Sequence, residues 1–400
     1  MKIVILCTKY PLESGNSYLT SDLGTALARM GHSVSVVCLD WESKSPEGHY
    51  KLADDIDVYN FEFKLISFLD KISPIRRFLK WMFFSTIVRF KLPKKLRDEK
   101  IDLLIDFSPA TTTRSVFSYL KKLHKSKSFM ILWDFFPYYH YELGLLPKPM
   151  FPFLKWIEES EINSHEYIGC MSDENVNYLN KKYKVCGKVK TLVLPLWGPK
   201  EAPMVESKSS FDQFEFDKVY CVFGGQLIPG RGVNLIIDLA KKCKNVNKNI
   251  VFLVAGDGPL KDWLENSISE NGLDNVRYLG QLSRDKYFDL LGHSSIGLVF
   301  NSGHVSVPTY PSKTIDYFRC KLPILGAVES ATDYRDIIQN QVKAGFCSVA
   351  NQLDEIYSNL VNLSNNPTLR KKFGENGYQY FQKHMTSEAV ARQILKESSL

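Results

Sequence analysis

The stretch VPTYPSKTIDYFRCKLPILG, Val307 to Gly326, carries residues suited to an anionic ligand. It reads as a loop, a helix, a short connection and a strand over Lys321–Leu325. Pro311 suits the first turn of a helix, where a missing N–H costs nothing. The amides of Ser312 and Lys313 then point outward at a helix start, and the partial positive charge there favours phosphate. Asp316, one turn on, is placed to accept hydrogen bonds from vicinal sugar hydroxyls. An Asp in a first turn also complements the helix dipole, and the residues alone leave both readings open.

Two glycine-rich loops accompany it. Gly224-Gly225 follows a strand, and Arg231-Gly232 opens the next helix. Small residues let a ligand approach the backbone, and a guanidinium near a helix start is a natural partner for a diphosphate. A tight turn with a solvated Arg is the plainer reading of that loop. Gly256-Asp257-Gly258-Pro259 ends another apolar run. Ligands of parallel sheets bind beyond such strand ends, so three loops converge on one crevice.

The elements that must hold these loops are legible as two similar halves. Lys2–Leu6 is a strand, Leu19, Leu23, Ala26 and Leu27 recur at helical spacing, and Ser33–Leu39 is a second strand. The second half repeats this with strands at Lys218–Phe223, Ile250–Ala255, Val276–Leu279 and Ile296–Phe300 and helices at Val233–Lys242 and Leu260–Glu270. The pattern predicts an α/β chain of two Rossmann-like domains, residues 1–195 and 212–380. A Pro-, Gly- and Ser-containing linker spans 196–211, and a C-terminal helix over 381–400 packs back on the first domain.

Composition narrows the class. Hydrophobic residues make up 44% of 400 and charged residues 24%, enough for a sizeable core in each half. Only five apolar residues follow Lys2 before Thr8 and Lys9, too few for a signal peptide, and no apolar run approaches a membrane span. The chain is expected to be cytoplasmic. None of the eight cysteines stands in a CxxC arrangement, which leaves buried free thiols rather than zinc. Asp55-Ile56-Asp57 matches a DxD metal motif in form only, and no metal is expected. A dehydrogenase is disfavoured because no GxGxxG follows a strand.

The net charge of +7 is concentrated: residues 64–100 hold 11 Lys/Arg against three Asp/Glu. Arg76, Arg77, Lys80 and Arg89 are interleaved there with Trp81 and Phe84. Cations draw such a segment to anionic lipid at roughly 1 kcal/mol each, and aromatics settle at the headgroups. A solvated helix packing its aromatics on its own domain is the alternative. No nucleic-acid motif accompanies the charge.

The ordered set Gly225…Arg231, Gly256-Asp257-Gly258-Pro259, Leu279-Gly280-Gln281-Leu282 and Pro311-Ser312-Lys313-Thr314-Ile315-Asp316-Tyr317 resembles family GT4 of the GT-B glycosyltransferases. The resemblance implies two Rossmann-like domains facing across a cleft and a nucleotide-diphosphate sugar of UDP or GDP type as donor. Sugar transfer would be retaining, with no cofactor beyond that substrate. Arg231 and the Ser312 and Lys313 amides would hold the diphosphate, Asp316 the ribose, and the backbone at Gln281 and Leu282 would read the base. Gly224, Gly225, Gly256, Gly258 and Pro259 would form the donor loops, and Gly15 would approach the donor phosphate or the acceptor. In the first half the resemblance points to Trp133-Asp134-Phe135-Phe136-Pro137. Asp134 would orient or deprotonate the acceptor hydroxyl, or serve as a cap; His140 is the other candidate base. Tyr138, Tyr139 and Tyr141 suit sugar stacking and core packing equally. The chain departs from the family where Gln226 replaces an Arg, Pro308 an acidic residue and Trp133 a His, which leaves His304 as a candidate sugar contact. The expected role is hexosyl transfer to a saccharide or lipid-linked saccharide in surface-polysaccharide synthesis (O-antigen, lipopolysaccharide, capsule or exopolysaccharide), at the inner face of the membrane. An inactive nucleotide-sugar-binding module and a sugar epimerase of the same fold are the alternatives.

Overall fold

Apolar runs such as KIVILC and IVFLVA have no polar face to show to water, so they fit only strands covered on both sides. The computed structural model places them there: Lys2–Cys7 and Ile250–Ala255 are buried at every position. It describes residues 1–12, 18–41, 45–63, 73–203, 214, 215, 217–301 and 305–399.

Two units divide the chain. The first joins Met1–Pro199 to Thr386–Leu400, and the second is Lys200–Met385. Residues 204–211 of the expected linker lie outside the described residues.

Among the described residues the first unit holds β1 (Lys2–Cys7), β2 (Ser33–Asp40), β3 (Gly48–Lys51), β4 (Asp57–Glu62), β5 (Leu103–Phe107), β6 (Lys127–Leu132), β7 (Tyr167–Cys170) and β8 (Lys190–Val193). They form one sheet in the order β3-β4-β2-β1-β5-β6-β7-β8, parallel except for β3 against β4. The second unit holds β9 (Val219–Gly224), β10 (Ile250–Ala255), β11 (Val276–Gly280), β12 (Ile296–Phe300), β13 (Ile324–Val328) and β14 (Gly345–Val349). Its order, β11-β10-β9-β12-β13-β14, is parallel throughout and reverses direction between β9 and β12. That is the doubly wound Rossmann order.

Several strand boundaries differ from the sequence expectation by one residue, and one differs by more. Lys321–Leu325 was expected as strand, but β13 starts at Ile324. Lys321 adopts a φ of 55°, and the amide of Leu322 reaches back to the Tyr317 carbonyl at 2.8 Å. This left-handed closure of the preceding helix consumes three residues before the chain can extend.

The C-terminal helix, Ser387–Glu397, belongs to the first unit. Thr386 caps it through the amide of Ala389, and Ser387 donates to the Gly198 carbonyl at 2.9 Å. Val390, Ala391 and Ile394 join Ile3, Ile5, Leu23 and Leu27 in one core. Burying a Val or Ile side chain of this kind contributes about 1.5–3 kcal/mol, so the returning helix is structural to that unit.

Candidate active site

In a doubly wound sheet a crevice opens beyond the carboxyl ends of the strands where the order reverses. In the second unit those strands are β9 and β12. Gly224-Gly225 ends β9, and the loop after β12 leads to the helix Lys313–Arg319. A Cβ on Gly232 would fall 2.5 Å from that of Phe300, so the loop after β9 lies directly against the end of β12.

The glycines are forced by close backbone contact. Gly256 has a φ of 146°, and a Cβ there would sit 1.8 Å from the Gly225 carbonyl oxygen. The Gly225 amide donates to Ala255, and the Gly256 amide to Gly280, both carbonyls within 3.0 Å. The segment Gln281-Leu282 therefore starts beside the glycine loops that follow β9 and β10. Gly258 is clamped likewise: Leu227 donates to Asp257, and Leu260 donates to Leu227, each at 2.9 Å. Pro259 is exposed behind that clamp.

Lys313 turns its side chain into this crevice. Its Nζ lies 3.6 Å from the centroid of the Phe223 ring and 3.7 Å from where a Cβ on Gly225 would be. Burial, reinforced by the Arg231 guanidinium, pushes the ammonium down to about 7. No carboxylate among the described residues pairs with either cation. The arrangement sets a guanidinium and an amine that a bound anion would hold protonated beside a bare backbone, with no competing carboxylate among the described residues. Ser312 is exposed at the start of the helix, which runs for only seven residues. The side-chain cations, rather than the dipole of so short a helix, dominate the field.

Asp316 is buried and already engaged. Arg284 donates to both of its oxygens, Nη1 to Oδ2 at 2.8 Å and Nη2 to Oδ1 at 2.7 Å, with Arg319 at 3.9 Å. The sequence reading missed Arg284, whose partner lies 32 positions away. It missed Glu329 too. This buried carboxylate at the end of β13 accepts from the amide and hydroxyl of Thr309 and from Asn301. Glu329 thereby anchors the loop that carries Pro308, itself buried. His304 lies outside the described residues.

Candidate residues of the first unit stand apart in the chain. Asp134 is exposed just beyond β6, its amide donating to Ser108 Oγ at 3.3 Å. Desolvation lowers the His140 imidazole, and the charge of Asp134 opposes that shift. Asp134 and His140 are thus electrostatic neighbours, with a neutral imidazole favoured. Trp133 packs against Phe107 and Trp197. Tyr138 donates to the Lys182 carbonyl, and its ring meets Phe151, Tyr178 and Tyr183. That contact set makes it a packing residue. Gly15 lies outside the described residues.

Against known proteins, residues 206–380 match the family model described as glycosyl transferases group 1. An uncharacterised glycosyltransferase of Methanocaldococcus jannaschii is 25% identical over 187 residues, 46% of this chain and half of that protein's length. Among solved structures, sucrose-phosphate synthase of Thermosynechococcus elongatus superposes with a TM-score of 0.73 at 12% identity, over 100% of this chain and 98% of that one. Anabaena HepE in complex with UDP gives 0.66 at 13% identity, with both chains fully covered. A glycosyltransferase from Rickettsia africae gives 0.69 at 13%, covering 99% and 97%. The fold is GT-B.

This GT-B chain corrects the reading of its basic segment. Its place among cations and aromatics suggests Lys80 as a membrane or acceptor contact, yet it is buried and donates to the carbonyls of Asp40 and Trp41 at 3.2 and 2.7 Å. Phe84 is likewise in the core, and Trp81 is half-buried with its indole N–H on Thr111 Oγ1. A cation on a helix can spend its charge on uncapped carbonyls beneath, which composition does not reveal. Phe83, Ile87 and Phe90 point outward instead, at 50%, 42% and 78% exposure, with Arg89 exposed beside them. Side chains of 73–79, including Arg76 and Arg77, lie outside the described residues. Asp57 of the DxD-like triplet is held by Lys95 and His49. No group of three or more His, Cys, Asp or Glu among the described residues could hold a metal ion. No described helix is long and apolar enough to cross a membrane.

Proposed function

We propose that this protein transfers a hexosyl group from a nucleotide-diphosphate sugar to an acceptor hydroxyl, with retention at the anomeric carbon. The observation that carries this reading is the Lys313 side chain against Gly225, with the Arg231 charge near it and no carboxylate partner among the described residues. As the glycosidic bond to the donor breaks, negative charge grows on the departing diphosphate. Fixed cations in a partly dehydrated site stabilise that charge without reorganising. They also supply the positive charge that a divalent metal would, so we expect turnover to persist in chelator. The bare turns at Gly225, Gly256 and Gly258 give the diphosphate room against the backbone, and Gln281-Leu282 is the base contact. Asp134 acts on the acceptor hydroxyl, with His140 beside it.

Incubation with UDP- and GDP-hexoses and saccharide acceptors tests the reading through product analysis. We expect a glycosylated product, and a fall in turnover of about a hundredfold or more in Arg231→Ala, the scale on which loss of one charge-stabilising donor acts. Unchanged turnover in that variant would overturn the donor site. For the acceptor we propose a lipid-linked saccharide of surface-polysaccharide synthesis. The outward stripe Phe83, Ile87 and Phe90, flanked by Arg89, supports it, since it suits an anionic bilayer surface. Sedimentation with vesicles of anionic lipid should therefore exceed that with neutral vesicles, and Phe83→Ser/Phe90→Ser should abolish the difference. Equal sedimentation with both vesicles would remove the membrane part.

One observation favours a second reading, a nucleotide-sugar-binding module without turnover. Pro308 and Trp133 are both packed inward where related enzymes place reactive side chains. Tight donor binding without product or hydrolysis would favour it.

A further inference from the structure

The donor pocket contains an ion pair whose geometry is more restricted than an ordinary surface contact. Arg284 meets Asp316 through two parallel N–H···O bonds, which fix the plane of the carboxylate as well as its distance. The guanidinium is held from its face as well, its centre 4.4 Å from the Phe288 ring centroid. Phe288 also meets the Arg319 guanidinium at 5.0 Å. One turn along the same helix, Tyr287 lies so close under Gly224 that a Cβ there would fall 2.1 Å from its hydroxyl. The helix Arg284–Gly292 thus lays Arg284, Tyr287 and Phe288 on one face against the end of β9 and the helix of Asp316, and the close approach of Tyr287 requires the glycine at 224. Its cap, Ser283, directly follows Gln281-Leu282. Arg284 remains 42% exposed while the Asp316 side chain is 13% exposed, so the outer edge of the pair opens to the solvent side.

The geometry points to Arg284 as the positioning residue for the donor ribose. This inference rests on the reading of the pocket as a nucleotide-sugar site. A carboxylate carries about four lone-pair sites, and the guanidinium fork uses one on each oxygen. One lone pair then remains on each oxygen, and by fixing the carboxylate plane Arg284 fixes the direction from which Asp316 can accept a ribose hydroxyl. Without Arg284 the Asp316 side chain would lose its defined plane. Arg284 acts through Asp316 and is not itself a catalytic residue. A bare salt bridge serving stability alone would leave recognition of the ribose hydroxyls unchanged.

Calorimetric titration of the full chain with UDP and GDP, beside their 2′-deoxy and 3′-deoxy counterparts, separates these cases. The native protein should bind the ribonucleotide about tenfold to a hundredfold more tightly than the deoxy analogues, the span of a hydrogen bond to a charged group. Asp316→Asn and Arg284→Met should both lose that discrimination, and Arg284→Lys should keep only part of it. The double variant should discriminate no worse than either single one, because the two side chains act as one unit. Thermal melting of each variant checks the fold, and the discrimination ratio stays informative in any variant that binds nucleotide at all. If Arg284→Met retains the full preference while Asp316→Asn loses it, Arg284 is only structural and the inference fails. If Asp316→Asn also retains it, the ribose is read elsewhere and the inference fails with the role of Asp316. Absence of any nucleotide binding by the native protein would overturn the pocket assignment as well.

Discussion

Glu158, in the first unit, departs far from ordinary carboxylate behaviour. Both of its carboxylate oxygens are buried without a hydrogen-bond partner. Burial, then the charges of Glu161, Asp106 and Asp134, push it well above the usual carboxylate range. Glu161, which Arg114 contacts at 2.7 Å, is pushed up to about 8. Next to them His165 donates from Nδ1 to the Glu161 carbonyl, and its Nε2 faces an Asp106 oxygen at 3.5 Å. A carboxyl group raised in this way favours the native state fully in acid, below its unfolded value. That contribution is lost as pH rises through the raised native value. Glu158→Gln should therefore stabilise the protein by about 1–3 kcal/mol at pH 8 and by little at pH 4, because at pH 8 folding must desolvate or protonate a carboxylate that is ionised in the unfolded chain. Melting curves at the two pH values measure this, and an equal shift at both would contradict it. The cluster was missed in the sequence although Glu158 and Glu161 stand at helical spacing among Leu154, Ile157 and Ile162, a pattern that puts both carboxylates on an apolar face.

Among the elements, the loops at strand ends were the most legible. Glycine pairs between an apolar run and a helical pattern have few structural uses, so GGQLIPGRG and GDGP announced their places. What they could not announce was their contact with one another, since the Gly225–Gly256 approach joins residues 31 positions apart. Gly256→Ala would push a methyl group into the Gly225 carbonyl at a φ of 146°. Strain of this kind costs about 1–3 kcal/mol and would part the two loops. We expect a lowered melting temperature together with at least tenfold weaker nucleotide binding, both read in one thermal-shift titration. Normal affinity in a merely destabilised protein would separate the loop from the site. The segment Ser73–Lys91 was less legible for a different reason. Its cations and aromatics alternate too densely for spacing to tell which face is buried, and Lys80 and Phe84 went inward while Phe83, Ile87 and Phe90 went out.

For the molecule as a whole, the repeated strand–helix pattern gave the two sheets, because continuous apolar runs fit only parallel strands covered on both faces. The discontinuity of the first unit was visible as a helical C-terminal segment. Its docking depends on Val390, Ala391 and Ile394 meeting a core built more than 350 positions earlier. Function at this scale rests on whether the second unit receives a diphosphate between Arg231 and Lys313. An anion there would raise the Lys313 ammonium from its value of about 7, so binding takes up a proton above neutrality and weakens as pH rises. Titration calorimetry with UDP-glucose and GDP-mannose, run at pH 6.5 and 8.5 on the native chain and on Lys313→Met, reads this directly. The account predicts that one nucleotide sugar binds the native protein, more tightly at pH 6.5 and with proton uptake at pH 8.5, and that Lys313→Met binds more weakly with neither effect. Binding of equal strength in both proteins at both pH values, or of neither nucleotide sugar to the native chain, would contradict it.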